Sequence, residues 1–269
     1  MTKTKKNPFP TKSFGARLGS MLRADGRRMF TSPMFYICLG IALVVPILIL
    51  VMTTMTAGAT VTDPNTGVET TMAAFTNAWQ IIATESGAGM GMDMTAMCNI
   101  NLMYFMAAVF LCLFTAEDFR SGYAKNLFTV RVKKFDYVAS KTILGFLAGA
   151  LFLIAFFVGA IFGGSVAGLP FTLGAAGVPG LVMCMLAKIF LMGVFVAIFL
   201  LMSVIGKSKS WMSILLSLFG GMLLFMMIPM MTPLDAGPMH VFMCLAGGAI
   251  FAAAIGAGSS LVLQKTSLV

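Results

Sequence analysis

The chain has one histidine, His240, nine acidic residues and two tryptophans among its 269 residues. A lone histidine excludes a histidine-rich metal centre, and no long apolar stretch contains an Asp or Glu pair for acid–base work. A His-activated Ser or Cys nucleophile would need His240, which falls at the edge of an apolar stretch and reads as an interfacial residue. Cysteine is sparse: Cys38, Cys98, Cys112, Cys184 and Cys244 form an odd set without the spacing of a secreted disulfide framework or a zinc site. They read as buried free thiols, and no metal site is expected. No signal peptide is expected either, because the first apolar run starts only after 33 residues, is too long for an h-region and lacks a small-residue cleavage site.

What the chain has in excess is apolar length. Hydrophobic residues make up 59% and charged residues 10%, with a mean hydropathy of +0.97, which places the chain among integral membrane proteins. A bilayer core about 30 Å thick takes roughly 20 apolar residues as helix. Six stretches qualify: Met34 to Thr56, Cys98 to Ala116, Val138 to Gly163, Gly180 to Ile205, Trp211 to Met231 and Val241 to Leu263. Each is continuously apolar rather than alternating, so helices fit and a barrel does not. The fold expected is all-α and polytopic, with six transmembrane helices over residues 34–269 preceded by a basic N-terminus at 1–33.

Charge then sets orientation, because Lys and Arg collect in cytoplasmic loops. All of the 18 basic residues except Lys188 fall before the first stretch, between the second and third or, as Lys141, in the first turn of the third, between the fourth and fifth, or after the last. The opposite connections carry Asp63, Glu69, Glu85, Asp93 and Asp235 instead. Both termini are therefore expected in the cytoplasm of a cell-membrane protein. The net charge of +9 follows from topology and contact with the lipid bilayer, and no nucleic acid is implied.

Residues 11 to 32 place Phe14, Leu18, Met21, Leu22 and Met29 within one helical quadrant opposite Arg23 and Arg27, as in a helix lying in the membrane interface. Asp25 breaks the pattern by falling on the apolar side. In the long outer loop, 57–97, Met72, Phe75, Trp79 and Ile82 recur at helical spacing and predict a short helix on the outer mouth. Small residues spaced by four, Gly145 and Gly149, Gly159 and Gly163, and Gly248, Ala252 and Gly256, mark seams where helices approach closely, within the subunit or with a second copy.

Apart from Lys141 at the start of the third stretch, Lys188 is the one basic residue inside a span, and a buried ammonium needs water, a polar partner or a role. Lining a polar substrate path together with Asn99, Asn101, Met222, Phe225 and Met226 is one reading; bonding to nearby Asn, Ser or carbonyl groups is the other. The 25 methionines suit an apolar cavity with varied guests, or ordinary packing. The run MGMDMTAM, with Met90, Met92, Met94 and Met97, admits a Cu(I) site by thioether chemistry alone. Gly206, Lys207 and Ser208 are similar to the end of a phosphate-binding loop, but Leu201 stands where the motif needs glycine.

The polar stretch from Glu117 to Lys141, EDFRSGYAKNLFTVRVKKFDYVASK, interrupts this greasy pattern. Phe119, Tyr123 and Leu127 recur every fourth residue, so one helix would gather them on one face as a docking ridge, with Arg120, Lys125 and Asn126 elsewhere. With this stretch, the basic lead LRADGRRMFTSPMFYI and the six-span layout, nearly the whole chain resembles a permease subunit of the ABC-2 type family of ABC transporters. Glu117, Gly122, Lys125, Tyr137 and Lys141 take the places of that family's acid, glycine, basic-aromatic and Tyr-x-x-x-Lys run. The resemblance implies a coupling helix, 117–141, seated in a groove of an ATPase subunit, with Glu117, Asp118, Phe119, Arg120, Gly122, Tyr123, Lys125, Leu127 and Phe128 as its coupling residues. It also implies two ATPase copies, a second permease copy or paralogue, and ATP and Mg bound by the ATPase, with no cofactor and no catalysis in this chain. In size the chain is similar to the small members that export bacteriocins, bacitracin or phenol-soluble modulins, which points to an amphipathic peptide substrate. The alternatives are export of ions, copper or small drugs, an ATPase-independent channel or carrier, or a peptide-sequestering immunity protein.

Overall fold

The computed structural model describes residues 13–62, 69–71, 75–85, 98–129, 133–174, 177–225 and 227–265. Its helices are α1 (Phe14–Thr31), α2 (Pro33–Met55), α3 (Leu102–Arg120), α4 (Tyr123–Thr129), α5 (Lys134–Val166), α6 (Gly177–Gly206), α7 (Ser210–Phe225), α8 (Ile228–Met231) and α9 (Pro238–Lys265). Five of them, α2, α3, α5, α6 and α9, are long and apolar enough to cross a membrane.

The fifth apolar stretch departs from expectation. A continuous span from Trp211 to Met231 is not formed: α7 stops at Phe225 and the chain resumes helix at Ile228. Pro229 supplies the reason, since its ring lacks an N–H and would crowd the carbonyl of Phe225, four residues back. At 16 residues, α7 is about 24 Å long, short of a full apolar thickness.

The helix predicted in the outer loop is replaced by two smaller devices. Strands β1 (Thr60–Thr62) and β2 (Glu69–Thr71) pair antiparallel, with Val61 opposite Thr70. Beyond them one 3-10 turn, Ala78–Ile81, is capped by the Asn77 side chain, which accepts from the Trp79 N–H. The two strands carry four threonines, Thr60, Thr62, Thr70 and Thr71, and β-branched threonine favours a strand. The aromatic anchor is nevertheless real: Trp79 stacks on Phe157 at 5.8 Å and meets Phe171 edge-on at 5.3 Å. Phe75, Ile81 and Ile82 are buried beside it, so this turn plugs the acidic end of the bundle. Met72 and the MGMDMTAM run lie outside the described residues.

The glycine seams are used inside the chain. A methyl on Gly159 would overlap the Leu43 carbonyl oxygen, and one on Gly163 would lie 2.8 Å from Ile47 Cα, so α5 crosses α2 with backbones nearly touching. A methyl on Gly149 would lie 2.6 Å from Met192 of α6, and one on Gly248 of α9 would lie 2.8 Å from the Phe190 carbonyl of α6. Without side chains at the crossing, dispersion contacts accumulate along both backbones. The core is one apolar cluster running from Met29 and Phe35 through Phe110, Phe152 and Phe199.

Candidate functional site

The basic end of the bundle is built from the foot of each helix, and its centre is a buried charge cluster. Asp25 and Arg28 come from α1, Asp118 from the last turn of α3, Tyr123 from α4, and Tyr137, Ser140 and Lys141 from the first turns of α5. Asp25, Asp118 and Lys141 are fully buried. The Lys141 ammonium stands 2.7 Å from Asp118 Oδ2 and 3.4 Å from Asp25 Oδ1. It lies off the hydrogen-bonding axis of both carboxylates, so these pairs are ionic contacts, reinforced by the Phe114 ring face 3.8 Å away.

Each carboxylate oxygen is occupied. Arg28 donates to Asp118 Oδ1 at 2.6 Å and the Tyr137 hydroxyl donates to Oδ2 at 2.9 Å. Ser140 donates to Asp25 Oδ2 at 2.9 Å and the Tyr123 hydroxyl to Oδ1 at 3.3 Å. The Arg28 guanidinium also lies 4.0 Å above the Tyr123 ring. Two carboxylates thus balance two cations, which is the condition for keeping such charges out of water. Burial, followed by the Asp25 carboxylate, pushes the Tyr123 phenol up from its ordinary value, so it remains a hydrogen-bond donor at neutral pH.

Local sequence explains how α4 meets this cluster. Gly122, with φ of +73°, ends α3 in the left-handed conformation that glycine adopts at least cost. The N–H of Asn126 then bonds the Gly122 carbonyl at 3.0 Å and α4 starts in a new direction. The single helix expected to carry Phe119, Tyr123 and Leu127 on one ridge is therefore broken between Arg120 and Tyr123.

The ridge also faces the other way. Phe119, Leu127 and Phe128 pack against the core of this chain, and Phe128 meets Tyr137 edge-on at 5.4 Å. Apolar groups beside an apolar bundle bury there first. Asp118 is inward too, so any influence it has on a partner passes through the cluster. What α4 and the end of α3 show to the outside is polar: Glu117, Arg120, Ser121, Lys125, Asn126 and Thr129 are exposed. Further ties hold the same end together, Arg17 of α1 to Asp136 of α5 at 2.8 Å, and Lys134 of α5 to the Leu263 carbonyl of α9 at 2.5 Å.

Sequence reasoning used Tyr137 and Lys141 as motif positions and set Asp25 aside as a flaw in an amphipathic pattern. The signal was present: an acid on the apolar face of a helix needs a buried cation. Arg28, Ser140 and the inward role of Asp118 were not legible, because their contacts span 90 residues or more in Arg28–Asp118 and 115 in Ser140–Asp25.

The residues proposed for a polar path separate into two groups. Lys188 of α6 is 1% exposed, and its ammonium donates to Asn101 Oδ1 at 3.1 Å and Thr232 Oγ1 at 2.8 Å. Asn99 Oδ1 accepts from the Asn101 N–H at 2.9 Å, and Tyr104 donates to the Lys188 carbonyl at 2.9 Å. Lys188, Asn99 and Asn101 therefore form one buried node with Thr232 and Tyr104, two residues the sequence did not single out. Phe225 instead stacks on Phe105 at 4.9 Å, and Met222 is 61% exposed on the outer face of α7. Met226 lies outside the described residues. Among the described residues no group of three His, Cys, Asp or Glu side chains could hold a metal ion.

The node carries one prediction. Lys188→Met is expected to leave the apparent Tm unchanged or higher, because it removes the desolvation penalty of an ammonium at the cost of two neutral partners. A fall of more than about 5 °C, equivalent to about 2 kcal/mol for a chain of this size, would show instead that the hydrogen bonds outweigh that penalty. A thiol-reactive dye suits the measurement, because all five cysteines are free and Cys38, Cys112, Cys184 and Cys244 are buried until the bundle opens.

Compared with known proteins, residues 31–224 match the family described as ABC-2 family transporter protein. No curated protein and no protein of solved structure matches the chain.

Proposed function

From the premise that this chain belongs to the ABC-2 family of transporter proteins, and so is a multi-pass membrane component of an ABC transporter, we propose that it is the permease subunit of an ATP-driven exporter. Two permeases, identical or paralogous, and two ATPase chains make the working unit, with ATP and Mg held by the ATPases. The basic end faces the cytoplasm of the cell membrane, and α7 with α8 completes a sixth crossing. The substrate is an apolar or amphipathic molecule, most naturally a peptide, in keeping with nearly uncharged, Met-rich spans.

One observation supports the coupling role above others: α4 presents a polar outer edge while its inner side is tied to α1 and α5 through Tyr123, Asp25 and Arg28. An ATPase that pushes on Lys125 and Asn126 moves Tyr123, which touches α1 at Asp25 and Arg28 and through them reaches Ser140 of α5 and Asp118 of α3. Packed and ion-paired elements pass displacement as discrete rearrangements rather than by bending. A nucleotide-driven push then becomes a choice between two arrangements of the bundle.

The test follows from which side chains are outside. Phe119→Asp or Tyr123→Asp would damage the core first, so the informative variant is Arg120→Glu with Lys125→Glu. It is expected to lose at least tenfold in ATPase chain recovered by mild detergent extraction, with the apparent Tm unchanged. Undiminished ATPase recovery would reject α4 as the docking element. With the wild type, stimulation of the co-purified ATPase by amphipathic peptides is expected; stimulation by ions or lipid alone would reject a peptide substrate.

A further inference from the structure

Beside the charge cluster, a cleft of about 330 Å³ opens along one face of α3. Phe110, Leu113 and Phe114 line its inner part, Glu117 and Arg120 its mouth. Counted from Phe110 these positions lie at i, i+3, i+4, i+7 and i+10, so the face changes from apolar to charged over about 15 Å of helix. Arg28 of α1, Met34 at the start of α2 and Ser210 at the start of α7 also line it. The cleft thus lies where spanning helices emerge from the apolar layer.

The charges at the mouth select among amphiphiles. Arg28 is already neutralised by Asp118 at 2.6 Å, although its side chain keeps 32% exposure and N–H groups in excess of the one spent on that bond. Arg120 and Glu117 are both exposed, three residues apart on one face, and no ion pair involves either among the described residues. The mouth therefore offers one free cation and one free carboxylate, backed by a guanidinium. A purely anionic head group would satisfy Arg120 but meet Glu117 unfavourably. A quaternary ammonium would bring the right charge to Glu117 without an N–H to donate.

We propose that this cleft binds a zwitterionic aminophospholipid of the phosphatidylethanolamine class. Its phosphate lies between Arg120 and Arg28, its primary ammonium donates to Glu117, and the start of an acyl chain covers Leu113 and the two phenylalanine rings. Arg28 joins the site to the buried cluster, so an occupied cleft braces the foot of α1 against α3. The inference rests on the membrane placement of the chain and not on ATPase docking.

The experiment is native mass spectrometry of the full-length chain, with any ATPase it retains, after delipidation and addition of equal amounts of phosphatidylethanolamine, phosphatidylglycerol and phosphatidylcholine. One phosphatidylethanolamine per chain is expected to be retained, with about threefold preference over each competitor, the range of a partly exposed charge pair. Glu117→Gln should abolish the preference over phosphatidylglycerol, and Arg120→Gln should weaken all three. Leu113→Trp, which fills the cleft, should expel the lipid without lowering the apparent Tm. Equal retention of the three lipids by the wild type, no retained lipid, or an unchanged preference in Glu117→Gln would each overturn the proposal. Undiminished ATPase recovery in Arg120→Glu with Lys125→Glu, alongside an intact lipid preference in the wild type, would reject the docking role of α4 and leave this site standing.

Discussion

Asp118→Ala is expected to lower stability by about 3–5 kcal/mol, the cost of leaving a buried charge without its partner. Lys141 would keep only the Asp25 oxygen at 3.4 Å, and Arg28 and Tyr137 would each lose a carboxylate acceptor. In the thiol-dye assay this corresponds to a fall of roughly 10 °C in apparent Tm. The instructive comparison is the double variant Asp118→Ala with Lys141→Met. It removes one charge of each sign, leaves Asp25 beside Arg28, and should recover most of the loss, because a buried pair costs far more to break than to delete. If the double variant is as damaged as the sum of its parts, the cluster is not held together by charge balance. ATPase stimulation should fall in the single variant beyond what the remaining folded fraction explains, since the tie between α4 and α5 runs through these groups.

Gly159→Ala is expected to cost about 1–3 kcal/mol despite adding one methyl group and a better helix former. The methyl would overlap the Leu43 carbonyl oxygen and lie 2.7 Å from Pro46 Cγ. A backbone carbonyl cannot rotate away, so α2 must move off α5 as a body. Adding Gly163→Ala, whose methyl meets Ile47 Cα at 2.8 Å, should deepen the loss, and the pair should be recovered in low yield. Gly256→Ala is the control: its nearest neighbour is Val138 Cγ1 at 3.8 Å, an ordinary contact, and its apparent Tm should hold or rise slightly. Equal behaviour of Gly159→Ala and Gly256→Ala would mean that the α2–α5 crossing is looser than described.

The contrast between these two sites shows what could be read from the chain alone. Apolar runs of sufficient length announce helices, because their backbone groups must be satisfied internally wherever water is absent. Hence α2, α3, α5, α6 and α9 fall within a few residues of expectation, whereas in α1 the expected face is met at Met21 and Met29 but not at Phe14, which is exposed. The glycine seams were legible as close approaches, but which helix approaches is tertiary information. Pro229 is legible as a helix stop, although an apolar run surrounds it. The outer loop misled through its periodicity: Phe75, Trp79 and Ile82 are all buried, yet on an irregular turn rather than a helix. For the charge cluster, spacing located Tyr137 and Lys141 and composition exposed Asp25, whereas their meeting depends on how four helix feet converge. The direction of the Phe119, Tyr123 and Leu127 ridge was illegible for the same reason, since periodicity defines a face without saying what lies opposite.

The break at Pro229 bears on how the protein is made. A segment of 16 residues has less apolar length than a bilayer asks for, so lateral release into lipid on its own is disfavoured by hydrophobic mismatch. Its relief comes from contacts with neighbours that are synthesised earlier, among them the Cys112 thiol of α3, which meets the Ser217 hydroxyl at 3.2 Å, and Phe105, which stacks on Phe225. Stable insertion of α7 is therefore expected to depend on α3 and α6 being in place to receive it. Weakening those receiving contacts should show first as misinserted chain, before any loss of stability in the finished protein.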